Sequence, residues 1–138
     1  MAITQLNPYL NFDGTAALAI ALYEKVLGAT HDGIRRLGDI PDTPTDDEHK
    51  DRVMHAELKI GAGKIMISDT PPGQASDLGN NVYVCLNCDN VAEMTEMFNG
   101  LATGGRVTME LQETFWGATF GIVTDPYGIN WMFNGPKG

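Results

Sequence analysis

With 138 residues, 43% hydrophobic and 20% charged, the chain has the makeup of one ordinary folded domain, long enough for a core without disulfide or metal staples. A net charge of −9 with no Lys/Arg cluster argues against a nucleic-acid partner and leaves a weak preference for cationic ligands. No apolar run approaches the roughly 20 residues of a membrane span, and no basic segment followed by an apolar run opens Met1-Ala2-Ile3-Thr4-Gln5, so neither a membrane nor a secretory route is expected.

Pro8-Tyr9-Leu10-Asn11-Phe12 reads as a short first strand. Asp13 is the expected N-cap of an apolar helix over Ala16–Leu27, with Gly28 as its C-cap. Thr30 to Leu37 forms a modest second strand. Residues 39–51 are an acidic, proline-containing loop, either a mobile lid or, more simply, a solvated excursion. From Arg52 to Ile60 the pattern alternates, with Met54, Ala56, Leu58 and Ile60 on one face and Val53, His55, Glu57 and Lys59 on the other. Gly61-Ala62-Gly63 turns the chain into a partner strand, Lys64 to Asp69.

After a linker at 71–79, the pattern resumes. Asn81 to Asn87 is a strand, and Asp89 or Asn90 caps a helix carrying Val91, Met94, Phe98 and Leu101 at helical spacing. Gly104-Gly105 ends it. Arg106 to about Gln112, Gly117 to Thr124 and Ile129 to Asn134 follow as strands, the last two joined by a type I turn at Asp125-Pro126-Tyr127-Gly128. Asn11, Asp13, Ala16 and Gly28 recur as Asn87, Asp89, Ala92 and Gly104 at one constant offset. The chain therefore reads as two copies of a strand–helix–three-strand unit, about 7–70 and 80–134, with Met66 and Met132 in matching last-strand positions. The fold class is α+β: two βαβββ units forming curved mixed β-sheets with helices on the outside.

Cys85 and Cys88 form Cys-Leu-Asn-Cys. A redox pair would open a helix, and a zinc site would need a second ligand pair. Buried reduced thiols are the expectation, in keeping with a cytoplasmic protein.

The element order, given twice, resembles the vicinal-oxygen-chelate superfamily of glyoxalase I, bleomycin-resistance proteins, fosfomycin-resistance enzymes and extradiol dioxygenases. Tyr23-Glu24-Lys25-Val26-Leu27-Gly28 and Asp125-Pro126-Tyr127-Gly128 carry the likeness, in register with the duplication. Pro8-Tyr9-Leu10, Ile65-Met66-Ile67-Ser68-Asp69, Gln112-Glu113-Thr114-Phe115-Trp116 and Trp131-Met132 are similar to the PhnB-like branch. The methyltransferase label often given to that branch finds no glycine-rich nucleotide loop here. The resemblance implies a single glyoxalase-like domain, a small-molecule ligand in a cleft and a homodimer.

It also implies a divalent metal held by His and Glu of first and last strands. Those places fall near Asn7 or Pro8, Met66, Tyr83 and Met132, and a thioether is a poor ligand for hard cations. No metal or other cofactor is expected there. Met66 and Met132 then suit the floor of an organic-ligand site, with Ser68 and Tyr83 as neighbours.

Two replacements for the metal stand out. His55 and Glu57, two apart on one strand, can act as an acid/base pair or join Ser68 or Asp69 as ligands. They can equally be a solvated strand face, and the lack of a third ligand at fixed spacing weighs for that. Glu113 beside Phe115 and Trp116 forms either a pocket wall with a carboxylate base or a packing corner. The competing functions are thus a binding protein, a lyase or isomerase using a relocated metal or acid/base chemistry at His55, Glu57 and Glu113, and a structural or regulatory protein, for which the sequence offers no positive sign. The remaining methionines read as core filling.

Overall fold

The computed structural model of the chain describes residues 2–41 and 45–138. Asp42, Thr43 and Pro44 of the acidic loop, and Met1, lie outside the described residues. The chain divides into two compact units, one running to Asp77 and the other starting at Leu78.

The first unit contains β1 (Tyr9–Phe12), α1 (Ala16–Leu27), β2 (Ile34–Arg36), a 3-10 turn (Leu37–Asp39), β3 (Val53–Ile60) and β4 (Gly63–Asp69). The second contains β5 (Val84–Asn87), α2 (Val91–Ala102), β6 (Arg106–Glu113), β7 (Ala118–Thr124) and β8 (Asn130–Pro136). The strand orders are β1-β4-β3-β2 and β5-β8-β7-β6, the same order twice. In each sheet the first strand runs parallel to the last, and the other pairs are antiparallel. The fold is α+β, two mixed sheets each with one helix.

In the first unit, Ala16, Ala19, Ile20, Tyr23 and Leu27 recur at helical spacing and are buried, so α1 lays one face on β3 and β4. Beneath it lie Phe12, Ala56, Leu58, Ile65 and Ile67. Gly28 ends the helix in the left-handed region at φ 70°, its N–H donating to the carbonyl of Tyr23. In the second unit, Met94, Phe98 and Leu101 face β7 and β8, and Phe98 meets Phe133 edge-on at 5.5 Å. Gly121 permits that approach, because a Cβ there would lie 3.0 Å from Phe98 Cε2 and 2.8 Å from Leu111 Cδ2.

One carboxylate organises each unit. Asp69, at the end of β4, accepts from the N–H of Gly14 (2.8 Å) and of Ala16 (3.0 Å) through one oxygen, and from Val53 N–H (2.8 Å) through the other. It serves the start of α1 from the strand beside β1, placing negative charge at the helix N-terminus. Buried Asp125 accepts from Tyr127 and Ile129 N–H at 2.8 and 3.1 Å, and from the indole N–H of Trp131 at 2.9 Å. The expected turn closes with Gly128 N–H donating to Asp125 C=O at 3.1 Å.

Several expectations are corrected. The N-cap of α1 is Thr15, without a side-chain bond; Asp13 instead pairs with Arg52 at 3.0 Å. Asn90, not Asp89, caps α2, accepting from Glu93 N–H at 2.9 Å. The alternation in β3 breaks at its start: Val53 is 1% exposed and Met54 37%. A register shift against β2, where Arg35 faces His55 but Arg36 faces Val53, is the cause. The second strand covers only Ile34–Arg36, with Thr30 making an isolated bridge to Lys59. β5 starts at Val84, opposite Trp131, because its partner β8 starts at Asn130. Core filling describes buried Met94 but not Met54 or Met109, both partly exposed. Cys85 is exposed and Cys88 half-buried, so neither is a core thiol.

Replacing Asp69 with Ala strands three N–H groups at once. Urea unfolding of Asp69→Ala is expected to show a loss of about 2–3 kcal/mol. Asp13→Ala, which removes a half-exposed ion pair, is expected to cost no more than about 1 kcal/mol.

Candidate functional site

Residues directly opposite on neighbouring strands share a face of the sheet. In the first unit Tyr9 faces Met66, Met66 faces Glu57, Asn11 faces Ser68, Arg35 faces His55 and Lys59 faces Lys64. Since Ala56, Leu58, Ile65 and Ile67 are buried on the helix side, these residues occupy the opposite, open face. The expected cluster of His55, Glu57, Met66 and Ser68 is therefore brought onto one surface.

A chain of polar contacts crosses it. The Tyr9 hydroxyl lies 3.0 Å from His55 Nδ1, with the rings tilted at 5.8 Å. His55 Nε2 lies 3.7 Å from a Glu57 oxygen, and the other Glu57 oxygen lies 3.5 Å from Lys64 Nζ. A proton on Nε2 leaves Nδ1 to accept from the phenol, while Glu57 stands within ion-pair range of the ring but beyond hydrogen-bond distance. The phenol and imidazole thus share one hydrogen bond, with a carboxylate close by. Ser68 is buried and donates to Asn11 Oδ1 at 3.0 Å, which ties the ends of β1 and β4.

Beside this chain is a cavity of 620 Å³. Its walls are the segment from Thr30 to Arg35, then His55, Glu57 and Lys59 of β3 and Lys64 of β4. Tyr9, Lys64 and Arg35 were not singled out from sequence. Tyr9 and Arg35 are revealed only by the register of β1 and β2 against strands far off along the chain, and Lys64 by the register of the β3–β4 hairpin.

The second unit repeats the geometry with other side chains. Met132 faces Cys85 and Ile122, as Met66 faces Tyr9 and Glu57, so the two methionines are equivalent by register. Asn134 donates to Asn87 Oδ1 at 3.2 Å, the counterpart of Ser68 and Asn11. Tyr83 is half-buried just before β5. Glu113 is exposed at the end of β6. Phe115 is 98% exposed and Trp116 59%, so the β6–β7 turn is no packing corner within its unit. Trp116 touches Phe115 at 5.0 Å and Phe120 at 6.2 Å, ring centre to ring centre.

At the last-strand places of each unit, Met66 and Met132 offer thioethers, poor ligands for hard cations, and Glu57 is within ion-pair range of His55 and Lys64. Among the described residues, the one grouping of three potential ligands is Asp46, Glu48 and His49, on the acidic loop and off the sheet. His49 Nδ1 lies 2.9 Å from Asp46, and that hydrogen bond holds the Asp46 carboxyl below its ordinary range. His31 Nε2 lies 3.4 Å from Glu24, with its Nδ1 buried and unpartnered among the described residues. No described helix is long and apolar enough to cross a membrane.

The sequence profile of the Glyoxalase/Bleomycin resistance protein/Dioxygenase superfamily matches residues 5–133. Protein YjdN of Escherichia coli K12 is 36% identical over 94% of this chain and 93% of its own. The crystal structure of protein PA1353 from Pseudomonas aeruginosa has a TM-score of 0.87 at 39% identity, covering 99% of this chain and 100% of that one. The PhnB protein from Bacillus cereus shares the fold at a TM-score of 0.76 and 21% identity, over 96% of this chain and 99% of that one.

Burial, then the neighbouring Asp89 charge, pushes the Cys88 thiol up, while Cys85 is exposed on the open strand. Because the thiolate is the reactive form, Cys85 is expected to alkylate with iodoacetamide several-fold faster than Cys88 at neutral pH. Peptide mass spectrometry reads the ratio.

Proposed function

The chain belongs to the Glyoxalase/Bleomycin resistance protein/Dioxygenase superfamily, and from that premise we propose that it binds a small organic molecule on the open face of its first sheet, without the divalent metal. The cavity beside His55 and Glu57 carries this reading. At 620 Å³ it falls within the roughly 300–1,000 Å³ of small-molecule sites. Polar groups that fix a ligand's orientation stand along its wall, and Met66 lies in the same row as Tyr9 and Glu57.

A second reading, a lyase or isomerase, is favoured by the contact chain of Tyr9, His55 and Glu57. A substrate with an acidic C–H beside a carbonyl would present its proton to His55, with Glu57 steadying the imidazolium. Glu113, Phe115 and Trp116 at the β6–β7 turn form a separate candidate ligand surface, while Tyr83 and Met132 belong to the β5–β8 side of that sheet, away from the turn. We also infer a homodimer: β6 is an edge strand, and the exposed Phe115 and Trp116 follow it. Two free thiols suit a reducing, cytoplasmic setting.

Metal analysis of protein purified without chelators is expected to find well under one equivalent of divalent ion. A full equivalent, lost on His55→Ala, would overturn the metal-free reading. Sedimentation at micromolar concentration is expected to give a dimer that Trp116→Ala weakens, and a monomer removes that part of the proposal.

A further inference from the structure

We propose that the first-unit cavity recognises a small organic oxyanion, one bearing a carboxylate or phosphoryl group. This rests on the reading of the cavity as a ligand site and goes beyond it by naming the charge of the ligand. The chain as a whole carries −9, which taken alone favours a cationic ligand. The cavity has the opposite local balance. Of nine Lys and Arg residues in the chain, Arg35, Lys59 and Lys64 line it, joined by His31 and His55. Its acids are Asp32 and Glu57.

The pairing of these charges decides what remains for a ligand. Glu57 is occupied by Lys64 at 3.5 Å. Asp32 is exposed and leaves a surplus of one positive charge with the histidines neutral. Among the described residues, neither the Arg35 guanidinium nor the Lys59 ammonium has a hydrogen-bond or ion-pair partner, whereas the Arg36 side chain donates to Asp51 C=O and that of Arg52 to Asp13 and Thr70. The other cations near the sheet are thus committed, and these two are not.

Strand register holds the surplus together. Lys59 lies directly opposite Lys64, and Arg35 directly opposite His55. The like charges of Lys59 and Lys64, facing each other across the ladder, repel, and the sheet holds them in place through its backbone bonds. An anion in the cavity relieves that repulsion. The planar Arg35 fork suits two oxygens of one carboxylate or phosphoryl group, and Lys59 adds a point charge. The organic remainder then lies toward His55 and Tyr9.

Calorimetric titration of the full chain at low ionic strength tests this with malonate, inorganic phosphate and, as the cationic control, choline. One malonate or phosphate per chain is expected, with affinity about tenfold weaker in Arg35→Gln or Lys59→Gln. It is expected unchanged in Lys137→Gln and weaker as salt is raised. The two anions distinguish a carboxylate site from a phosphoryl site. Saturable choline binding weakened by His55→Ala, with neither anion bound, overturns the anion inference and leaves the cavity a ligand site. Anion binding indifferent to both Arg35→Gln and Lys59→Gln also overturns it. Failure of all three probes overturns the inference and counts against the cavity reading as well. Circular dichroism of each variant establishes that it is folded.

Discussion

Each unit depends on its first strand lying parallel to its last. A parallel pair cannot be closed by a tight turn; the chain must cross over, and here it does so as a helix packed on one face of the sheet. That single requirement leaves the other face free of the helix. It also brings Tyr9 beside Met66 and Cys85 beside Met132, pairs that no local rule would connect. The side chains at the ends of these strands hold the arrangement: Asn11 with Ser68, Asn87 with Asn134, and Asp69 reaching the start of α1.

On this shared frame the two open faces have taken different chemistry. The first carries a phenol, an imidazole, a carboxylate and several cations around Met66. The second presents Cys85 and Ile122 around Met132, with the aromatic turn Phe115-Trp116 following β6. Backbone geometry is common to both and the proton-carrying groups are not. Family membership therefore fixes the scaffold more firmly than the reaction. The Escherichia coli relative by sequence and the Bacillus cereus structure by fold support the frame and say nothing of what Tyr9, His55 and Glu57 act on.

Much of the frame was legible in the residues because it is written locally or by repetition. The bounds of α1, Ala16–Leu27, follow from apolar spacing and Gly28, and the equivalence of Met66 and Met132 follows from the duplication. What escaped was non-local. Asp69 serves the start of the helix from the adjacent strand, 53 residues on from Ala16, so Asp13 looked the better cap. A register shift at the start of β3 exchanged Val53 and Met54, which strict alternation cannot foresee. Cys85 sits in an apolar run yet points to the open face. Of the candidate site, His55 and Glu57 were visible by their spacing. Tyr9 and Arg35 required the pairing of strands distant in the chain, and Lys64 the register of the β3–β4 hairpin.

The parallel pairing also bears on how the chain acquires its shape. The Asn11–Ser68 bond joins residues 57 apart, and the Asn134–Asn87 bond joins residues 47 apart. Such long closures come late and slow the search for the native topology. During synthesis, Tyr9-Leu10-Asn11-Phe12 must wait unpaired until β4 has emerged, while α1 and the β3–β4 hairpin can form from near neighbours. The second unit imposes the same delay on β5. Completion of each sheet is thus set by the arrival of its last strand, an order of events built into the strand arrangement itself.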